Sequence, residues 1–432
     1  MIFLYKTIIN ILFIIVLPFL PFIYLFSKKR RASLGLRLGY RTGLRQRQAG
    51  KKRIWVHALS LGEVISALPF VKALKAKNKE LDIVFTASTK TGFDMARQLF
   101  LKEKERLVDQ LGYFPFDLGH CVKKISRKIT PDAVVLVETD LWPNFLYEMK
   151  KNKTPVILIN ARLSKRSLNG YLFFRKFSLM LFSYLSHIMA QTPLDKKRFH
   201  SLGINRTKIS VVGNIKFDQE PANIDEPKMA KLKARFGIQD RDRVWIAGST
   251  HEGEEPIILD AFASLKKKIP NLKLILAPRD PKRSEKLIRQ IPSHPYHPVL
   301  FSQLKPGMKN HDLIFIDRIG LLATSYAICD IAFIGGSMVP QGGHNPLEPA
   351  MFGKPVLFGP HMTDFLQVSN LLVKENGACR VETASEMAVK LVGILKSPSL
   401  AAQMGEAGYR IFVSNAGAVD RIINKMEDLN LV

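Results

Sequence analysis

Glu63, Glu138, Lys216, Arg279 and Glu348 each stand just behind a short apolar run, where a buried strand would deliver a side chain to the rim of a sheet. A carboxylate so placed can take a proton from an attacking hydroxyl, and a Lys or Arg can offset the charge of a phosphate or departing anion. Each also has a plainer reading. Glu63 follows Ser60 by three positions in "HALSLGEVISALP" (57–69), a capping-box arrangement in which both side chains satisfy free N–H groups at a helix start. Glu138 and Asp140 in "VETDLWPN" (137–144) are spaced like the paired acids that hold divalent cations in some enzymes. Two carboxylates alone make a poor metal site. A packed turn anchored by Trp142, with the acids supplying charge, is the stronger reading. Lys216 in "GNIKFD" (213–218) either meets an anionic donor or lies on the surface. Arg162, Lys165 and Arg166 in "NARLSKRS" (160–167) either face phosphate or form a solvated basic face.

In the later half, "APRDPKR" (277–283) offers Arg279 as a phosphate ligand or a turn residue. "GGSMVPQGGHNPLEPA" (335–350) has four glycines that allow close backbone approach to a ligand. Asn345 reads as the N-cap of the next helix, Pro346 as its first residue and Glu348 as its third. The exposed N–H groups of such a helix start favour phosphate, and Glu348 suits a ribose diol if it is not itself a cap. His344 reads equally as a ligand or as a structural residue. "AGSTHEGEE" (247–255) joins a strand to an acid-rich helix start.

The elements needed to hold these residues are legible as apolar, mostly β-branched or aliphatic runs: 53–58, 82–88, 132–138, 155–160, 187–192 and 209–213, then 243–249, 272–278, 313–317, 330–335 and 355–359. Runs apolar on both faces, alternating with helical patterns, predict parallel strands covered by helices. The pattern is interrupted at 216–231, where Pro221, Pro227 and several acids fall. The expected fold is α/β: two doubly wound, Rossmann-like halves, 28–218 and 219–432, facing across a cleft, with ligands beyond the strands' carboxyl ends.

Residues 1–27 are expected to form a membrane anchor. Residues 7–26 carry no charge, about enough helix to cross a ~30 Å bilayer core, and "SKKRR" follows at 27–31. Basic residues beside a membrane segment stay cytoplasmic, so the body should face the cytosol. Pro18 and Pro21 leave open a segment that is embedded without spanning. No Asp or Glu precedes Glu63, eleven Lys or Arg fall between 28 and 53, and the net charge of 432 residues is +28. Such a field favours an anionic membrane surface, a phosphorylated substrate or nucleic acid. Helix-turn-helix, RRM and zinc-finger patterns are absent, as are G-x-x-x-x-G-K-[ST], G-x-G-x-x-G and G-x-S-x-G. Cys121, Cys329 and Cys379 lie too far apart for CxxC or CxxH chemistry and read as core residues.

Taken in order, "HALSLGE", "VETDLWPN", "NARLS", "GNIKFD", "STHEGEE", "APRDPKR" and "GGSMVPQGGHNPLEP" resemble the motifs of the Kdo transferases, which add 3-deoxy-D-manno-octulosonic acid (Kdo) to the lipid A precursor of Gram-negative bacteria. The resemblance implies a GT-B glycosyltransferase fold and an inverting transfer without metal or other cofactor. It implies an acceptor-binding first half, a CMP-Kdo-binding second half, and residence at the cytoplasmic side of the inner membrane. By the resemblance, Glu63 is the proton acceptor, and Glu138 and Lys216 stabilise the transition state. The CMP site falls on Pro278 and Arg279, on Ile319, Gly320 and Leu321, and on Asn345, Pro346, Leu347 and Glu348. Two positions depart from the pattern: Asp140 replaces the usual Glu, and Leu321 stands where relatives commonly carry Glu, leaving backbone contacts there. The competing readings are a GT-B transferase with another nucleotide sugar and a lipid acceptor, and a tethered nucleic-acid-binding protein.

Overall fold

Short apolar runs buried on both faces become parallel strands. In the computed structural model of the chain, residues 1–19, 28–40, 42–47, 50–102, 105–138, 141–218, 225–291, 296–305 and 307–432 are described. They form two seven-stranded parallel sheets. The first contains β1 (Arg53–Ala58), β2 (Asp82–Ala87), β3 (Gln110–Tyr113), β4 (Ala133–Val137), β5 (Val156–Ala161), β6 (His187–Ala190) and β7 (Ile209–Val211), in the order β3-β2-β1-β4-β5-β6-β7. Every residue of β1, β2, β4 and β5 is buried. Trp55 of β1 pairs with Val84 of β2 on one side and Val134 of β4 on the other. The winding direction reverses between β1 and β4. Loops leaving two such strands part to opposite faces and open a crevice at their carboxyl ends.

The second sheet contains β8 (Arg243–Thr250), β9 (Leu272–Pro278), β10 (Pro298–Leu300), β11 (Leu313–Phe315), β12 (Ile331–Ile334), β13 (Val356–Phe358) and β14 (Ala378–Arg380), in the order β10-β11-β9-β8-β12-β13-β14. Here the reversal falls between β8 and β12. The strands absent from the sequence reading, β3, β10 and β14, are all sheet edges. They have three or four residues each.

The chain divides into two compact units, 1–219 with 416–432, and 220–415. The sequence reading assigned everything after 218 to the second half. The last segment instead returns to the first unit, where Val419, Ile422, Ile423 and Met426 join the core formed with Val64, Val71 and Leu74. Asp218 receives hydrogen bonds from the N–H groups of Gly417 and Val419, capping the helix Ala418–Asp428. The interruption at 219–224 lies outside the described residues.

The N-terminal segment also differs from expectation. Its helix, Ile2–Val16, has 15 residues and passes into a 3-10 turn, Leu17–Phe19, at Pro18, a residue that cannot donate the next helical hydrogen bond. That is ~22 Å of helix against a ~30 Å hydrocarbon core. Among the described residues no helix is long and apolar enough to cross a membrane, and 20–26 lie outside them. Phe3, Leu4, Ile8, Ile11, Ile14 and Ile15 are exposed along it.

Candidate active site

In the first unit, Glu63 follows β1 and Glu138 follows β4, the two strands between which the winding reverses, and Lys216 reaches Glu138 from the turn after β7. Ser60, in extended backbone, caps the helix Leu61–Lys77 by accepting from Glu63 N at 3.4 Å. The Glu63 carboxylate turns back on the same turn: Oε2 accepts from Leu59 N at 2.6 Å, and Oε1 from Ser60 Oγ at 3.3 Å. The capping geometry is therefore present, and it fixes the side chain. Both carboxylate oxygens thus accept from the turn that starts the helix. It is half-buried, beside an exposed Gly62.

Glu138 follows β4 with φ +67°, a left-handed conformation that costs a non-glycine residue about 1–3 kcal/mol. Its N–H is retained by Ile159 O at 2.9 Å, and its carboxylate lies 3.6 Å from Lys216 Nζ. Lys216 is delivered by the turn Ile215–Asp218, which Asn160 holds through a 3.2 Å bond from Ile215 N to Asn160 Oδ1. Asn160 itself has φ +53°, which Asn tolerates better than most residues. Within "NARLSKRS" the sequence reading weighed the cations. The fully buried residue that positions Lys216 is Asn160, while Lys165 and Arg166 are exposed. Asp140 lies outside the described residues. Among those described, no three of His, Cys, Asp and Glu group as a metal site.

The second unit builds its site at the reversal between β8 and β12. Gly335 has no room for a side chain, since an added Cβ would lie 2.4 Å from Ser249 O. Glu254, fully buried at the start of the helix Glu254–Lys266, organises the loop that follows β12. Its Oε2 accepts from Gly336 N at 2.6 Å and His251 N at 2.8 Å, and its Oε1 from Ser337 N at 3.0 Å and Met338 N at 2.9 Å. Sequence reasoning noted the acid-rich helix start without seeing this role. Acids at a helix start are common, and nothing local marks one that reaches 82 residues ahead. Glu255 is buried beside it, paired twice with Arg283 at 2.8 and 3.1 Å.

His251 and His344 face each other with stacked rings, Nε2 to Nε2 at 2.9 Å. Such a contact needs one ring to donate and the other to accept. Burial, with Arg279 and His251 nearby, pushes the His344 imidazole down to about 4. Burial lowers His251 as well.

Pro278 ends β9, and Arg279 N bonds Thr250 O at 2.9 Å, tying this end to β8. The Arg279 side chain is exposed and near enough to act on both His344 and Glu348. The helix start at 345–348 is displaced by one residue from expectation. The helix is Leu347–Ala350, Pro346 precedes it with φ −77°, and Asn345 Oδ1 accepts from Leu347 N at 3.1 Å. Two prolines in four residues, Pro346 and Pro349, remove the N–H donors a longer turn would use. Glu348 is not a cap. Burial raises its carboxyl to about 7, with Arg279 pulling the other way, and the buried Tyr326 phenol lies close by. Ile319 and Gly320 are exposed, Gly320 with φ +88°, and Leu321 opens the short helix Leu322–Ser325. The structure thus brings Arg279, His344 and Glu348 together. Ile319–Leu321 stand on the neighbouring loop after β11.

Residues 33–219 match the family profile described as 3-deoxy-D-manno-octulosonic-acid transferase (kdotransferase). A 3-deoxy-D-manno-octulosonic acid transferase from Haemophilus influenzae is 34% identical over 87% of this chain and 86% of its own. One from Aquifex aeolicus is 32% identical over 80% of this chain and 86% of its own. Among solved structures, the UDP-GlcNAc 2-epimerase from Neisseria meningitidis superposes with a TM-score of 0.61 at 18% identity, covering 87% of this chain and all of that one, a likeness of fold. By its extended similarity to named relatives, this chain belongs to the Kdo transferase family.

Proposed function

We propose that this glycosyltransferase moves Kdo from CMP-Kdo to the lipid A precursor in lipopolysaccharide core biosynthesis. In this reading the first unit takes the acceptor and the second the donor. Glu63 removes the proton from the acceptor hydroxyl as that oxygen bonds to the anomeric carbon of Kdo with inversion. The bond from that carbon to CMP breaks, and its electron pair leaves with the phosphate. Lys216, held by Glu138, offsets the anionic charge of the reacting sugar acid, and Arg279 that of the phosphate. Glu348 and Asn345 would meet the nucleoside, with backbone from Ile319 to Leu321 and Pro346 to Leu347 lining its bed. No metal or cofactor enters a step.

The observation that carries the reading is the Glu138–Lys216 pair behind β4, with Glu63 behind the adjacent strand β1, in a chain of this family. We place the enzyme on the cytoplasmic face of the inner membrane. The exposed apolar side of Ile2–Val16 suits a helix lying in the interface. The basic residues before Glu63 would add attraction to anionic lipid. Purified protein incubated with CMP-Kdo and a lipid A precursor should yield a lipid heavier by Kdo units in mass spectrometry. Transfer from a uridine or guanosine donor in preference to CMP-Kdo would reject the donor assignment.

A further inference from the structure

Between the helix Ile2–Val16 and the rim of the first sheet runs an open groove of about 320 Å³. Ile9, Leu12 and Phe13 line it from the helix, and Leu38, Phe116 and Trp142 from the body of the unit. Its lining is almost wholly apolar. The Trp142 indole N–H is buried without an acceptor among the described residues. The groove is also built into the catalytic scaffold. Tyr5 donates to Asp117 Oδ2 at 2.9 Å, and the same carboxylate accepts from Asn144 N at 3.0 Å and Phe145 N at 2.8 Å. Those two N–H groups begin the helix Pro143–Lys151, directly behind the loop that leads from Glu138 to Trp142. One acid therefore fastens the N-terminal helix to the start of the helix Pro143–Lys151.

We propose that this groove holds an acyl chain of the acceptor, so that the N-terminal helix is a wall of the acceptor site as well as a contact with the membrane. The proposal rests on the reading of the acceptor as an acylated, phosphorylated disaccharide. Three features select that occupant. The groove is continuous with the exposed apolar face of Ile2–Val16, where a bilayer would supply the chain. Its lining includes Trp142, four residues along the chain from Glu138. A cation stands against its lining: Arg37 stacks 4.1 Å from the Phe116 ring centroid. An apolar channel flanked by positive charge matches an amphiphile whose headgroup carries phosphate.

Trp142 supplies the test, because the other indoles, Trp55 and Trp245, are fully buried in the two cores. Brominated acyl chains quench indole fluorescence only on contact. Full-length protein in phosphatidylcholine vesicles is titrated with lipid A precursor carrying brominated chains, and separately with brominated phosphatidylcholine alone. The proposal expects saturable quenching by the brominated precursor, absent in Trp142→Phe. Competition by unbrominated precursor should remove it. Filling the groove with Ile9→Phe and Leu12→Phe together should raise the KM for the acylated precursor about tenfold, with CMP affinity unchanged. Equal quenching by brominated phosphatidylcholine would make the groove a bilayer contact and overturn the subsite. Transfer to the lipid precursor without quenching would also overturn it while leaving the proposed function standing. Absence of transfer to any acylated phosphodisaccharide would instead remove the functional reading.

Discussion

Lys216 Nζ lies 3.6 Å from Glu138 Oε1, and the local backbone fixes where each of the two stands. Glu138 occupies a left-handed conformation behind β4, and Lys216 sits in a 3-10 turn pinned by Asn160. Glu138→Gly should relieve the strain and be more stable than Glu138→Ala by about 1 kcal/mol, because only glycine takes φ +67° without cost. Both variants should lose most transfer activity. Urea titration checks the first expectation, and equal stability of the two variants would contradict the strain.

Lys216→Met should lower kcat by about 10²–10³ with the fold intact, as expected when a fixed charge is removed from a developing anion. Steady-state kinetics with CMP-Kdo reads this directly. A change confined to KM would assign Lys216 to ground-state binding.

Glu254→Gln should destabilise the protein by about 2–3 kcal/mol and weaken CMP binding. The buried carboxylate accepts from four backbone N–H groups, and an amide presents one oxygen in place of two. Calorimetric titration with CMP, together with thermal unfolding, tests both parts. Unchanged CMP affinity in a folded variant would separate this loop from the donor site.

Glu348 and His344 should give opposing pH dependences. The folded Glu348 carboxyl is raised from 4.5 to about 7, so its stabilising contribution is full below 4.5 and lost as pH rises through 7. The folded His344 imidazole is lowered from 6.5 to about 4, so its contribution is full above 6.5 and lost as pH falls through 4. Between these limits the two partly cancel. Glu348→Gln should leave a protein whose stability falls more steeply on acidification than wild type. His344→Gln should leave one whose stability rises on acidification across the same range. Melting temperatures from pH 4.5 to 8 provide the check, and parallel curves for all three proteins would contradict it.

Much of this arrangement was legible before the structure. Central strands are buried on both faces, so their apolar runs stood out, and the residues just behind them could be named as candidates. The edges β3, β10 and β14 were not legible, because short edge strands need little apolar length. Ser60 and Glu63 form a local cap with an unambiguous spacing. At 345–348, two prolines moved the helix start and released Glu348 from the expected capping bond. Glu254, Asn160 and Asp117 act on backbone 82, 55 and 27 residues away, relationships that no local pattern encodes. The return of 416–432 to the first unit depends on Asp218 and an apolar face on the last helix, and sequence order conceals that pairing.

Glu63 carries the chemistry in this account, and a substitution that keeps its shape isolates its charge. Glu63→Gln retains an oxygen for the 2.6 Å bond from Leu59 N, so the helix start should survive. Single-turnover transfer from CMP-Kdo to a lipid A precursor, followed by mass spectrometry of the lipid, should show that this variant forms product at least about a hundredfold more slowly than wild type, with CMP-Kdo affinity unchanged. Product formation at a near-wild-type rate would contradict the assignment of Glu63 as the base.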